Sequence, residues 1–287
     1  MTPPPCPLTE QELADFVRQL MAEDGLDPDT GQGDVTSQAV IPQDAVLAAE
    51  MVARERIVVC GLPVAVEVFK HLEPGCQVDL FKQDGQMAGP DEALLTVAGR
   101  ARAILSGERA ALNVVQHLSG IATLTHRYVD AIAGTGARLL DTRKTVPGLR
   151  KLAKYATGCG GAHNHRMDLS ETVLIKDNHL GLAGGVEAAV GEARARGQVD
   201  VEVECDTLEQ VEAALTAQAD RILLDNMGPT TLKLAVEMAA GRVPLEASGG
   251  VTLEAIRAIA ETGVDFISVG RITQSAPAVD IGLDYLT

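Results

Sequence analysis

The sequence predicts an α/β protein in which an N-terminal α+β domain precedes a β/α barrel short of its full complement of strands. Over roughly the first hundred residues, short strands and helices follow one another without a regular repeat, the mark of an α+β domain. From Arg138 onward, strands and helices alternate, and nearly every strand ends in polar residues: DTRK, IKDNH, VEC, LLDN, EASGG and SVG. The strand C-termini of a β/α barrel converge on one face, so groups scattered along the chain become neighbours there.

The elements follow from local signals. Thr9 and Glu12 form a capping box that opens a helix running to Glu23. GLDPDTGQGDVTS reads as a turn-rich connection. Val46–Ala53 and Ile57–Cys60 read as strands around a charged turn, Pro63–His71 as a helix, and Val78–Phe81 and Ala93–Val97 as strands. A long helical stretch covers Arg102–Ala133, with a break expected at Ser119–Gly120. Barrel strands are predicted at Arg138–Asp141, Thr172–Ile175, Val201–Glu204, Arg221–Asp225, Pro244–Ala247 and Phe266–Val269. Helices are predicted at Pro147–Ala156, Gly185–Ala195, Leu208–Ala217, Thr230–Ala239 and Leu253–Glu261. Pro147 suits the first helical turn and Gly158 the end of that helix. Six strands fall short of eight, so either the barrel is incomplete or a strand hides in a stretch read as irregular. The domains divide as 1–117, with an interface helix near 102–118, and 118–287, with the C-terminal tail packing back on the first domain.

Composition narrows the function. The 24 Lys+Arg against 40 Asp+Glu give a net charge of −16, and aromatic residues are 2% of the chain. An acidic chain poor in aromatics suits neither DNA nor base stacking, so no nucleic-acid partner is expected. No apolar run reaches membrane-spanning length and the start lacks a signal-peptide pattern, so no membrane partner is expected either. The five cysteines, scattered and without a CxxC pair, fit free thiols in a reducing cytoplasm.

The stretch Asp141–His179 runs against this acidity. It holds Arg143, Lys144, Arg150, Lys151, Lys154, Arg166 and Lys176, with His163, His165 and His179. Clustered cations repel unless an anion neutralises them, so the window points to an anionic ligand. Arg143 and Arg166 can fork onto carboxylate or phosphate, while Lys144 and Lys176 are point charges. Arg150, Lys151 and Lys154 fit a solvated helix face better. Cys159 is either a reactive thiol or, more simply, a small residue packed in a tight turn. Ser248-Gly249-Gly250, before a predicted helix, and Ser268-Val269-Gly270, after the last strand, together suggest a phosphate cup. Glu204 and Asp225 end consecutive strands and can hold ribose hydroxyls or Mg2+, or pair with the basic cluster. Glu202 shares the face of Glu204 but sits farther from the strand end. Arg109, Asn113 and Gln116 form a polar stripe on an apolar helix, either a solvent face or one turned to a ligand or partner.

These stretches resemble the quinolinate phosphoribosyltransferase family. The resemblance is carried by DTRKTVPGLRKLAKYA, GGAHNHRMDL and LIKDNH, and by GDVTSQAVIP, GERAALNVVQHLSGIAT, VEVECDTLEQ, ILLDNM, EASGG and SVGRITQSAPAVDIGLDY, in order along nearly the whole chain. It implies an incomplete β/α barrel beside the N-terminal domain. It also implies the transfer of phosphoribose from phosphoribosyl diphosphate (PRPP) to quinolinate, with Mg2+, giving nicotinate mononucleotide, diphosphate and CO2. On this resemblance Arg143, His165, Arg166 and Lys176 clamp the two quinolinate carboxylates, and Thr142 borders that site. Lys144 meets the diphosphate or ribose, and Glu204 and Asp225 serve the ribose and Mg2+, directly or through water or PRPP. Lys144, Lys176, Glu204 and Asp225 are the catalytic candidates. Ser248, Gly249, Gly250 and Gly270 cradle the 5-phosphate. A homodimer or larger homo-oligomer, a hexamer included, is expected, with Arg109 reaching the neighbouring subunit's pocket. Val146, Ala162, His163, Arg271 and Gln274 depart from the family pattern, and the role of Arg271 is left open. Three alternatives remain: a same-fold paralogue of molybdenum metabolism, a non-catalytic ligand-binding relative, and a metal-dependent hydrolase using His163, His165, Lys176, His179 and Asp225.

Overall fold

The structure is a computed structural model describing residues 4–27, 29–30 and 32–286. In chain order the elements are α1 (Glu10–Glu23), α2 (Val35–Val40), β1 (Val46–Ala53), β2 (Ile57–Val58), α3 (Leu62–Leu72), β3 (Gln77–Leu80), β4 (Met87–Ala88), β5 (Ala93–Arg100) and α4 (Ala101–Ala131). There follow β6 (Arg138–Leu140), α5 (Arg150–Cys159), β7 (Val173–Ile175), α6 (Asp177–Ala183), α7 (Val186–Ala195), β8 (Val201–Cys205), α8 (Leu208–Thr216) and β9 (Arg221–Asp225). The chain continues with α9 (Pro229–Ala239), β10 (Leu245–Ser248), α10 (Ile256–Ala260), β11 (Phe266–Ser268), α11 (Arg271–Gln274) and β12 (Ile281–Tyr285). Among the described residues, no helix is long and apolar enough to cross a membrane.

The chain forms two compact units. The first takes residues up to His126, Lys151–Gly161 and the segment from Ser275. Its sheet has the order β12-β1-β5-β3, with the C-terminal strand β12 antiparallel to β1. The second unit, Arg127–Arg150 with Ala162–Gln274, holds a six-stranded parallel sheet ordered β6-β11-β10-β9-β8-β7. Its first two strands in sequence are its two edges. Beside β6 the segment at His163 makes an isolated parallel bridge to Leu140 rather than a full strand, leaving the barrel incomplete.

The division at 117/118 lies within α4, a continuous helix that runs on to Ala131. Two sequence expectations need correction. The expected break at Ser119–Gly120 is absent. Ser119 accepts from the Cys60 N–H at 2.9 Å and donates to its carbonyl at 3.1 Å, tying the helix to the first unit. A Cβ on Gly120 would lie 3.0 Å from the Pro277 carbonyl carbon, so this glycine serves close approach. Finally, α5 begins at Arg150: Pro147 and Gly148 form a turn, Gly148 taking φ +82°, and Gly158 lies within the helix. Residues 152–157 of α5 are all buried, Lys154 among them, so its expected solvated face holds only for the exposed Lys151, which pairs with Glu12. Cys159 is buried in the last turn of α5. The helix belongs to the first unit because Tyr155 donates to the buried Asp84 at 2.9 Å.

Candidate active site

Successive side chains of a strand face opposite ways, so residues two apart share a face. Leu174 on β7 and Lys176 just past it, Leu223 and Asp225 on β9, and Glu246 and Ser248 on β10 obey this rule and line one cavity of ≈ 440 Å³. Thr142, Arg143, Lys144, His165, Arg166, Glu204 and Ser268 complete its wall. The polar strand ends thus meet at one face of the second unit, and nine predicted site residues come together.

The cations are held from behind. Thr142 Oγ1 accepts from the Lys144 N–H at 3.1 Å, and Thr273 donates to the Lys144 carbonyl at 2.6 Å. A Cβ on Gly270 would come within 2.8 Å of Lys144 Cδ, so this glycine leaves room for the lysine stem. Arg166 donates through Nη1 to the Thr172 carbonyl at 2.8 Å. Burial and the neighbouring Arg143 guanidinium both depress the Arg166 pKa. Arg143 Nε is itself buried without a hydrogen-bond partner. Two close guanidiniums in such a setting suit a ligand with adjacent anionic groups.

The carboxylates divide in role. Glu204 forms an ion pair with Lys176. Asp225 instead accepts from the Asn226 side chain at 2.6 Å. Asn226 sits at φ +55° and donates its N–H to the Ser248 carbonyl at 2.9 Å. Gly249 takes φ +91°, and a Cβ there would be 2.7 Å from the Asn226 nitrogen. The glycine therefore lets the β9 and β10 loops close on each other and fixes Asp225 through Asn226. Gly249, Gly250 and Gly270 do not themselves line the cavity; Ser248 and Ser268, hydrogen bonded at 3.0 Å, do. The helix after Gly250 starts only at Ile256, so the expected helix terminus is not beside the cup.

Arg109 is exposed on α4 and does not line this cavity. Nor do His163 and His179, so the hydrolase constellation does not assemble. His179 Nδ1 instead accepts from the Lys176 N–H at 2.9 Å, at the start of α6. A further cavity of ≈ 480 Å³ in the first unit is lined by Arg100 and Arg102, but these pair with Glu73 and with the Gln38 and Ile41 carbonyls.

Sequence reasoning misses the acid cluster beneath the mouth. His165 Nε2 lies 3.4 Å from Glu202 and 3.6 Å from Glu246, and Arg221 lies 3.7 Å from Glu246. This is the one group of metal-competent side chains found among the described residues, and it is distinct from Glu204 and Asp225. Burial, and then the nearby Glu202, push the Glu246 pKa up to about 7, against the pull of His165 and Arg221. Burial alone would depress the His165 pKa, but the two acids outweigh it and raise the pKa. His165 Nδ1 accepts from the Arg166 N–H at 2.7 Å, which opposes a second ring proton and favours the Nε2–H tautomer. A signal for Glu246 exists in the sequence: it stands two residues before Ser248, on the same strand face. His165 and Arg166 also border a second cavity of ≈ 530 Å³, which Asp200, Asp220 and Pro244 place at the N-terminal ends of β8, β9 and β10.

Residues 34–119 match the model of the quinolinate phosphoribosyl transferase N-terminal domain, and 121–284 that of its C-terminal domain. The chain is 43% identical over 279 residues to the nicotinate-nucleotide pyrophosphorylase [carboxylating] of Mycobacterium leprae, covering 94% of this chain and 96% of that one. It is 41% identical over 258 residues to a probable nicotinate-nucleotide pyrophosphorylase [carboxylating] of Bacillus subtilis, covering 89% of each. The nicotinate-nucleotide pyrophosphorylase structure from Francisella tularensis superposes with a TM-score of 0.91 at 38% identity, covering 97% of this chain and 98% of that one. With family models spanning both halves and relatives matching end to end, the chain belongs to the quinolinate phosphoribosyltransferase family.

Proposed function

We propose that the cavity at the strand C-termini is where quinolinate and PRPP meet. The enzyme transfers the phosphoribosyl group of PRPP to quinolinate with decarboxylation, giving nicotinate mononucleotide, diphosphate and CO2 in NAD biosynthesis. The observation that carries the assignment of the site is the segregation of charge within one cavity. The close guanidiniums of Arg143 and Arg166 suit two adjacent carboxylates on a pyridine ring. Lys144, positioned by Thr142 and Gly270, suits the diphosphate. Glu204 and Asp225 face the ribose, where loss of diphosphate builds positive charge at the anomeric carbon. Lys176 joins the two sides through its pair with Glu204. Ser248 and Ser268, which line the cavity, suit the 5-phosphate.

The oxygen donors of Glu204 and Asp225 fit Mg2+, and the Lys176 pair on Glu204 favours contact through water or PRPP. Mg2+ would offset charge on the departing diphosphate. Once the ring nitrogen is ribosylated, its positive charge stabilises the carbanion that departing CO2 leaves at C2, a proton from solvent then completes the C2–H bond, and the protein's part is orientation. The exposure of Arg109 supports a homodimer or higher oligomer in which it serves a neighbouring subunit. The five free thiols support a cytoplasmic setting.

This division of the site is tested with Asp225→Asn. Turnover should fall by about a hundredfold or more, the scale of a lost transition-state electrostatic contact. Quinolinate affinity, read by calorimetry, should stay within about twofold of wild type. Lost quinolinate affinity with unchanged turnover would place Asp225 in the other sub-site.

A further inference from the structure

Beneath the substrate cavity runs a chain of contacts that the reaction as described does not use. Arg221 lies over the Phe266 ring, 4.7 Å from its centroid, and 3.7 Å from Glu246. Glu246 is fully buried, and neither of its carboxylate oxygens has a hydrogen-bond partner. With Glu202, also buried, it faces His165 Nε2, while His165 Nδ1 accepts the Arg166 N–H. Two carboxylates beside one imidazole in the dry interior cost stability, because each is desolvated and they repel each other. Costly arrangements of this kind are expected where function needs them.

We infer that Glu202 is a positioning residue: with Glu246 behind it as a second buried acid, it accepts from His165 Nε2 and holds the Nε2–H tautomer, and His165 in turn fixes Arg166 to receive the anionic ring substrate. The chain is directional. An acceptor at Nε2 keeps the proton there and leaves Nδ1 free of one, so Nδ1 can take the Arg166 N–H. That bond and the one to the Thr172 carbonyl fix Arg166 at its backbone and at its guanidinium. Glu202 is the nearer acid to Nε2, at 3.4 Å against 3.6 Å for Glu246. The inference rests on the reading that Arg166 meets quinolinate.

The test pairs two variants of the full-length enzyme. Glu202→Leu removes the acceptor at similar volume, and Glu202→Gln keeps an oxygen. Glu202→Leu should raise the quinolinate Kd about tenfold, with PRPP affinity within about twofold and Tm not lowered; Glu202→Gln should recover most of the affinity. A structural role alone would lower Tm and weaken both ligands together, and would overturn the proposal, as would unchanged quinolinate affinity in a folded Glu202→Leu. If Glu202→Leu does not fold, Glu202→Val is read by the same criteria. The wild-type enzyme offers an independent measurement: 15N spectra of His165 should show a protonated Nε2 and a hydrogen-bonded, unprotonated Nδ1, and the opposite tautomer would refute the chain. Arg166→Ala is the control. Unchanged quinolinate affinity there would defeat the reading of the pocket, leaving the tautomer to decide the positioning.

Discussion

Glu246 has a measurable consequence at the scale of a single residue. Its carboxyl titrates at about 7 when folded, against an ordinary value of 4.5. A raised folded pKa means the native state holds the proton more tightly than the unfolded chain. Its stabilising contribution is therefore full below about pH 4.5 and is lost as pH rises through about 7. Glu246→Gln cannot ionise. The Tm of wild type should fall relative to that of the variant between about pH 5 and 8, as followed by thermal melts in matched buffers. A constant gap, or one moving the other way, would show that the acid is not held protonated. Much of the site is legible residue by residue, because Arg143, Lys144, Arg166, Lys176, Glu204 and Asp225 all stand at or near strand ends. Glu246 escapes because EASGG draws attention to its glycines and not to the strand face it shares with Ser248. Lys154 misleads for another reason: its burial in α5 is decided by tertiary packing, while the neighbouring Lys151 stays exposed, so charge alone does not mark it.

At the scale of elements, hydrophobic pattern and turn residues place the barrel strands to within a residue or two. What fails are features decided by tertiary contact. The pair Ser119–Gly120 looks like a helix break by propensity, yet Ser119 is satisfied by Cys60 and Gly120 leaves room for the nearby Pro277 carbonyl. The short α2 and α6 escape sequence reading because each starts at a polar residue within an apparent loop or site. Asp34 caps α2 through the Ser37 N–H, and Lys176 precedes α6. The strand β12 looks like a tail because its partner, β1, lies at the far end of the sequence. The account of Gly120 predicts that Gly120→Val, though better suited to helix than a break would allow, destabilises by about 1–3 kcal/mol through overpacking against Pro277. Urea denaturation measures this. A stability equal to or above wild type would mean the close approach is not constraining.

At the scale of the whole molecule, two units carry the predicted α+β and barrel classes, but their boundary follows packing rather than sequence order. The segment Lys151–Gly161 lies in the middle of the barrel sequence yet belongs to the first unit. No periodicity announces such an exchange, since it depends on which core covers α5. Arg109 raises the other question at this scale, because it is exposed and stands outside its own chain's cavity. If a partner's pocket receives it, Arg109→Ala and Lys176→Ala should each be inactive alone. A mixed dimer would then hold one pocket with both residues intact. Random pairing makes about half the dimers mixed, so co-refolded mixtures should regain up to about a quarter of wild-type activity. No recovery despite verified subunit exchange would return Arg109 to its own subunit.

The central claim is that a paired-cation cavity selects a ring bearing two adjacent carboxylates, and substrate discrimination tests it most directly. Product analysis with PRPP and Mg2+ would offer the enzyme quinolinate and nicotinate in parallel. Nicotinate lacks one carboxylate and leaves buried cations unmatched, at a cost of about 2–5 kcal/mol. Quinolinate should yield nicotinate mononucleotide, diphosphate and CO2, with nicotinate turned over at least about thirtyfold less efficiently. Equal turnover of nicotinate would contradict the account.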